Sequence, residues 1–120
     1  MALSELRSLS VEELLRLYPR ATLVTTRSVI RELEGFLEGR RRSAARVALQ
    51  VVRRYMVRVE DYDGEADDDI VHLAKKLGAA VVTFDLELKE RLLDEGIPVI
   101  YLRAGKKLVL DDPLRLSKGG

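Results

Sequence analysis

Residues 66–85, ADDDIVHLAKKLGAAVVTFD, constrain this chain more than any other stretch. Three acids, Asp67, Asp68 and Asp69, open a segment in which Ile70, Leu73, Ala74 and Leu77 recur at helical spacing, and Gly78 stops it. Ala79 to Phe84 then form a short apolar run rich in β-branched residues, the pattern of a strand buried on both faces, and Asp85 closes it. About eleven helical residues climb roughly 16 Å, and about six strand residues return roughly 20 Å. A helix packed antiparallel to its own strand therefore brings Asp85 level with Asp67. That level is the carboxyl end of the strand, where open α/β sheets place their ligands.

Length limits what surrounds this unit. A chain of 120 residues makes one ordinary domain with a modest core, and we expect a single domain over 1–112 with a flexible tail over 113–120. There is no cysteine, so neither a disulfide framework nor a thiolate metal site is available, and the one histidine is His72. No run of eighteen apolar residues and no signal-peptide layout is present, so a soluble, cytoplasmic protein without a membrane partner is expected. Abundant charge, more Arg than Lys and the lack of cysteine are thermophile features. The net charge of +1 hides an asymmetry: residues 1–60 carry twelve Lys/Arg against seven Asp/Glu, and 61–120 nine against thirteen. An acidic site beside a basic surface suits a polyanion held around metal ions.

In chain order, Ser10 to Glu13 reads as a capping box feeding a helix through Leu17, which Pro19 breaks. Ala21 to Thr25 is expected to be a strand, and Thr26 or Ser28 to cap the next helix, whose buried stripe is Val29, Leu33, Phe36 and Leu37. Glu32 sits at the margin of that stripe, about two turns in, near the same carboxyl edge. Arg40, Arg41 and Arg42 precede a third helix with Ala45, Val47, Ala48, Leu49, Val51 and Val52 along it, and Arg46, Arg53 and Arg54 extend the basic character. Tyr55 to Glu60 alternates as a strand does, and Asp61 to Glu65 is an acidic loop. After Asp85 come a helix to Glu95, a stop at Gly96 and Pro98, a strand over 99–102, a turn over 104–106 and a hairpin partner over 108–110. The fold class is α/β, three layers α/β/α around a mostly parallel sheet with a C-terminal hairpin.

Carboxylates without cysteine suit hard divalent cations, Mg²⁺ or Mn²⁺, which can neutralise a phosphodiester and supply hydroxide for in-line attack. Glu32, Asp67 and Asp85 form the minimum scaffold. Each also has a plainer explanation. Acids in a first helical turn complement the helix dipole, the favoured account for Asp68 and Asp69, and Asp85 is a suitable N-cap. An EF-hand does not fit, since Gly64 falls at the fourth place of the loop and His72 at the twelfth. Phosphate-cradling glycine motifs are missing, and no nucleophile elbow surrounds a serine. The arginines Arg40, Arg41, Arg42 and Arg46 are either a solvated face or contacts to RNA phosphate.

In this order and spacing, TTRSVIREL with Glu32, ADDDI with Asp67 and VVTFD with Asp85 resemble the successive acidic motifs of PIN-domain ribonucleases. LKERL (Leu88 to Leu92) and GIPVIYL (Gly96 to Leu102) are similar to the archaeal and eukaryotic members of ribosomal-RNA processing more than to the toxin branch. The resemblance covers roughly 21–110. It implies a metal-dependent endoribonuclease with Glu32, Asp67 and Asp85 as metal ligands, Asp68 as an auxiliary acid, RNA as substrate and a homodimer in many members.

One departure bears on activity. The family pattern begins with a central strand ending in Asp, whereas no such strand stands before Ser10 and the first Asp of the chain is Asp61. Either roughly a dozen residues precede the chain as given, or this member has lost the strand. Its absence is expected to leave a break between the strand at Ala21 to Thr25 and that at Ala79 to Phe84, exposing unpaired backbone, and to remove one ligand. The alternatives to a nuclease are therefore a catalytically weak or silent PIN-like module that binds RNA or a protein, and the toxin of a toxin–antitoxin pair.

Overall fold

The computed structural model describes the backbone of residues 8–83, 85–103 and 107–113. The expected turn at 104–106, the tail beyond Pro113 and Phe84 lie outside the described residues. The chain divides into two compact units, one ending at Asp69 and the other beginning at Ile70. The first contains helix α1 (Ser8–Leu17), strand β1 (Val24–Thr26), helix α2 (Arg27–Gly35), a 3-10 turn (Phe36–Glu38), helix α3 (Arg42–Arg54) and strand β2 (Arg58–Glu60). Helix α4 (Ala66–Leu77) carries the chain into the second, which holds strand β3 (Val81–Val82), helix α5 (Leu86–Asp94) and strands β4 (Val99–Arg103) and β5 (Lys107–Asp111).

In the N-terminal unit β1 and β2 run parallel, with Val24 opposite Arg58, Thr25 opposite Val59 and Thr26 opposite Glu60. Thr26 is fully buried and ends the strand by capping α2, its Oγ1 accepting from the Val29 amide at 3.2 Å. The second buried hydroxyl, Ser28, satisfies itself against Thr26 Oγ1 at 2.8 Å. Val29 and Leu33 on α2, and Ala45, Ala48 and Val51 on α3, supply the buried faces at helical spacing. Two of the three buried residues of α3 are alanines, so little of its buried face is bulky.

In the C-terminal unit β3 pairs parallel with β4, and β4 pairs antiparallel with β5 over five residues. Its core joins Val71 and Ala74 of α4, Leu88 and Leu92 of α5, and Ile97 and Val99. Leu92 and Val99 have no exposed surface. Helix α5 ends in a cap where Gly96, at φ 78°, lets its amide reach Leu93 O while the Ile97 amide reaches Leu92 O at 2.9 Å. Helix α4 ends the same way around Gly78, φ 62°, with the Ala79 amide on Ala74 O. Lys89 on α5 points across the hairpin, its Nζ 3.6 Å from the Tyr101 ring centroid and 3.8 Å from Asp111 Oδ2.

The α/β class, the parallel pairings and the C-terminal hairpin agree with the sequence. Several boundaries do not. Helix α1 already includes Ser8, so the helix begins before Ser10. The first strand starts at Val24 because the Ala21 amide is bonded back to Tyr18 O, which holds that residue in a turn. Tyr55 and Met56 finish α3 instead of opening β2: Met56 takes φ 51°, and the Val57 amide returns to Val52 O. Likewise the Ala79 amide serves the end of α4, which shortens β3. Among the described residues β1 pairs with β2, and β3 pairs with β4 and β4 with β5, in two separate ladders.

A candidate site at the carboxyl ends of two parallel strands

Two segments leave the same end of the β1–β2 pair. Helix α2 follows β1 directly, and the acidic loop 61–65 follows β2 and leads into α4. Parallel pairing places Thr26 beside Glu60, so α2 and the loop start as neighbours. They are then joined by three contacts. The Ser28 amide donates to Tyr62 O at 2.9 Å, Arg27 Nε to Asp61 Oδ1 at 2.9 Å, and Arg31 Nη2 to Asp63 O at 3.1 Å while also pairing with the Asp63 carboxylate. Asp61 and Asp63 are thus arginine partners, which agrees with setting aside a calcium loop. Both pairs are well exposed, and each contributes at most about 1 kcal/mol.

Glu65 caps α4 with both carboxylate oxygens: Oε1 accepts from the Asp67 amide at 3.2 Å and Oε2 from the Asp68 amide at 2.7 Å. Asp67 is half-buried and Asp68 exposed, while Asp69 turns inward and is 8% exposed. Its Oδ2 accepts from the Gly64 amide at 2.9 Å. A Cβ on Gly64 would stand 3.3 Å from Asp69 Oδ1, so glycine gives the backbone its close approach to the carboxylate. Glu32 is half-buried on α2, next to the buried Leu33. The N-terminal unit therefore contains Glu32, Asp67 and Asp68.

Asp85 belongs to the C-terminal unit. Its Oδ1 caps α5, accepting from the Glu87 amide at 2.9 Å and the Leu88 amide at 3.3 Å, and its own amide donates to the buried Thr83 Oγ1. The plainer role allowed for this residue, an N-cap, is present. All four acids offer oxygen donors suited to a hard cation, but no group of three or more His, Asp or Glu is close enough to hold a metal ion among the described residues. His72 is an exposed residue of α4.

Arg40, Arg41, Arg42 and Arg46 are all exposed around the start of α3, with the Arg41 guanidinium 5.6 Å from the Phe36 ring centroid. A cation in the first turn of a helix opposes its dipole, whereas Arg53 and Arg54, in the last turn, complement it. Arg42 is on the unfavourable end.

A family model described as a PIN-like domain matches residues 5–105, and the chain belongs to that family. Among curated relatives, Ribonuclease VapC9 of Archaeoglobus fulgidus is 34% identical over 100 residues, covering 81% of this chain and 73% of the relative. Ribonuclease VapC4 of Methanocaldococcus jannaschii is 36% identical over 72 residues, covering 58% of this chain and about half, 53%, of the relative. Neither name speaks of ribosomal RNA. No helix among the described residues is long and apolar enough to cross a membrane.

Sequence reasoning overlooked Glu65, Asp69 and the two arginines of α2 as working parts. Glutamate is outside the preferred N-cap set, and a carboxylate five residues from its backbone partner follows no short motif. A signal did exist in the alternation of Asp61, Asp63 and Glu65 against Arg27 and Arg31, two positively charged residues one helical turn apart.

Proposed function

We propose that this chain is an endoribonuclease that hydrolyses RNA phosphodiesters, with Glu32, Asp67 and Asp85 as its catalytic acids and Asp68 as an auxiliary one. The observation that carries this is the PIN-like match over residues 5–105, which takes in all four acids. Identity to a protein named as a ribonuclease, along 73% of its length, supports the same conclusion. Carboxylates alone repel a phosphodiester, so the chemistry needs a counter-charge. A divalent cation, Mg²⁺ or Mn²⁺, supplies one when bound, along with an activated water. Arg40, Arg41, Arg42 and Arg46 supply another, and the unfavourable placement of Arg42 for its own helix is understandable if it meets RNA phosphate.

Cleavage of a fluorophore-quencher RNA with Mg²⁺, Mn²⁺ or EDTA tests this. The expected result is cleavage with either cation, none in EDTA, and none with Asp67→Ala. Cleavage in EDTA removes the metal from the proposal, and an unchanged rate in Asp67→Ala removes that residue.

The biological role we favour is that of the toxin of a toxin–antitoxin pair, with a protein partner, in the cytoplasm. The names of the curated relatives support it over ribosomal-RNA processing. The capping duty of Asp85 supports a second possibility, a catalytically weak or silent module that binds RNA or a protein. One folded domain over 1–112 and a homodimer complete the proposal. Sedimentation of the full chain at several concentrations distinguishes monomer from dimer.

A further inference from the structure

We propose that Asp69 is a positioning residue which, through the loop 61–65, fixes helix α2 with Glu32 against the first turn of α4 with Asp67 and Asp68. This rests on the nuclease assignment of those acids. Asp69 is the one acid of the ADDDI run that is buried, and its carboxylate is committed to the Gly64 amide at 2.9 Å. Gly64 is the bend of the loop. Upstream of it, Asp61, Tyr62 and Asp63 bind Arg27, Ser28 and Arg31, all on α2. Downstream, Glu65 binds the Asp67 and Asp68 amides. The loop is thus fastened to both acid-bearing helices, and Asp69 holds its middle.

The physical asymmetry between these contacts singles out Asp69. The Arg27 and Arg31 pairs are exposed and screened by solvent, so each alone holds the loop weakly. A buried carboxylate accepting from a backbone amide is stronger. Removing Asp69 therefore frees the loop at its bend, and the register between α2 and the first turn of α4 loosens. Misplacing catalytic groups by about 1 Å can cost roughly 100-fold in rate.

Asp69→Ala and Asp69→Asn separate positioning from a purely local role. Asn keeps an acceptor oxygen of the same reach, so Asp69→Asn should stay within about threefold of wild-type kcat, while Asp69→Ala should lose roughly 10- to 100-fold in kcat with KM little changed. Amide exchange read by NMR needs no activity. In Asp69→Ala the Ser28 amide, bonded to Tyr62 O across the loop, should lose protection together with Gly64. Loss confined to Gly64, with Ser28 as protected as in wild type, overturns the proposal. So does an Asp69→Ala enzyme with wild-type kcat. If Asp69→Ala does not fold, Gly64→Ala perturbs the same contact more gently, and an unaltered Ser28 amide there is equally decisive. A wild-type chain that cleaves no RNA sinks the nuclease assignment, while the exchange result still decides whether Asp69 fastens the loop to α2.

Discussion

The Val57 amide reaches the Val52 carbonyl at 3.0 Å and so closes helix α3 around Met56, a residue whose backbone is held at φ 51°. Helices α4 and α5 end with the same pair of bonds around Gly78 and Gly96. Left-handed backbone costs a non-glycine residue roughly 1–2 kcal/mol. Met56 is 88% exposed, so its side chain offers little burial in return. Met56→Gly should raise stability by about 1 kcal/mol, less the backbone entropy that glycine adds to the unfolded chain, read as a higher urea midpoint. A lower midpoint would mean that the methionine makes contacts worth more than its strain.

Leu92 is the largest fully buried side chain among the described residues and sits in the cluster with Val71, Leu88 and Val99. Leu92→Ala should destabilise by about 2–5 kcal/mol. Loss of less than about 1 kcal/mol in chemical denaturation would show that this core collapses to fill the gap.

Lys75 Nζ lies 2.7 Å from Glu95 Oε1, joining α4 to the end of α5. The hydrogen bond from Lys75, and then its charge, hold the Glu95 carboxyl below its ordinary pKa, against an opposing effect of burial that is larger than the further lowering by either Arg91 or His72. A carboxyl whose folded pKa is depressed stabilises the fold above its unfolded pKa and loses that contribution as pH falls through the folded value. Part of the acid-side loss of stability should therefore vanish in Glu95→Gln. Thermal melts from pH 7 down to 2 check it, and superimposable acid limbs for the two proteins would exclude Glu95 as a contributor.

If Arg40, Arg41 and Arg42 meet RNA phosphates, replacing all three by Ala should weaken RNA binding. The slope of log K against log salt should fall by roughly 0.7 for each single-strand phosphate that is no longer neutralised. Fluorescence anisotropy on the catalytically dead Asp67→Ala background measures both. An unchanged slope would leave these arginines a solvated face.

Much of this molecule is legible in its residues because the signals are local. Thr26 is a short polar residue before an apolar stripe, and it caps α2. Gly78 and Gly96 each follow a periodic run, and each ends a helix with positive φ. The end of α3 escapes a reading of the sequence because its left-handed residue is a methionine, and YMVRVE alternates as a strand would. For the acids, type and order fix the family, but what each carboxylate binds is set by tertiary packing. Asp67, Asp68 and Asp69 are identical in sequence terms, yet only Asp69 turns inward to Gly64. No periodicity could separate it from its neighbours.

The strand pairings also imply an order of assembly. β4 and β5 are neighbours in sequence and can zip within microseconds of collapse, five pairs in succession. β1 must wait for β2, with α2, the 3-10 turn and α3 between them, and the three pairs then formed recover little of the chain entropy lost in closing so long a loop. On the ribosome β1 thus emerges before β2 and stays without that partner until Glu60 has been synthesised, which leaves the backbone of Val24 to Thr26 open to other contacts in the nascent chain.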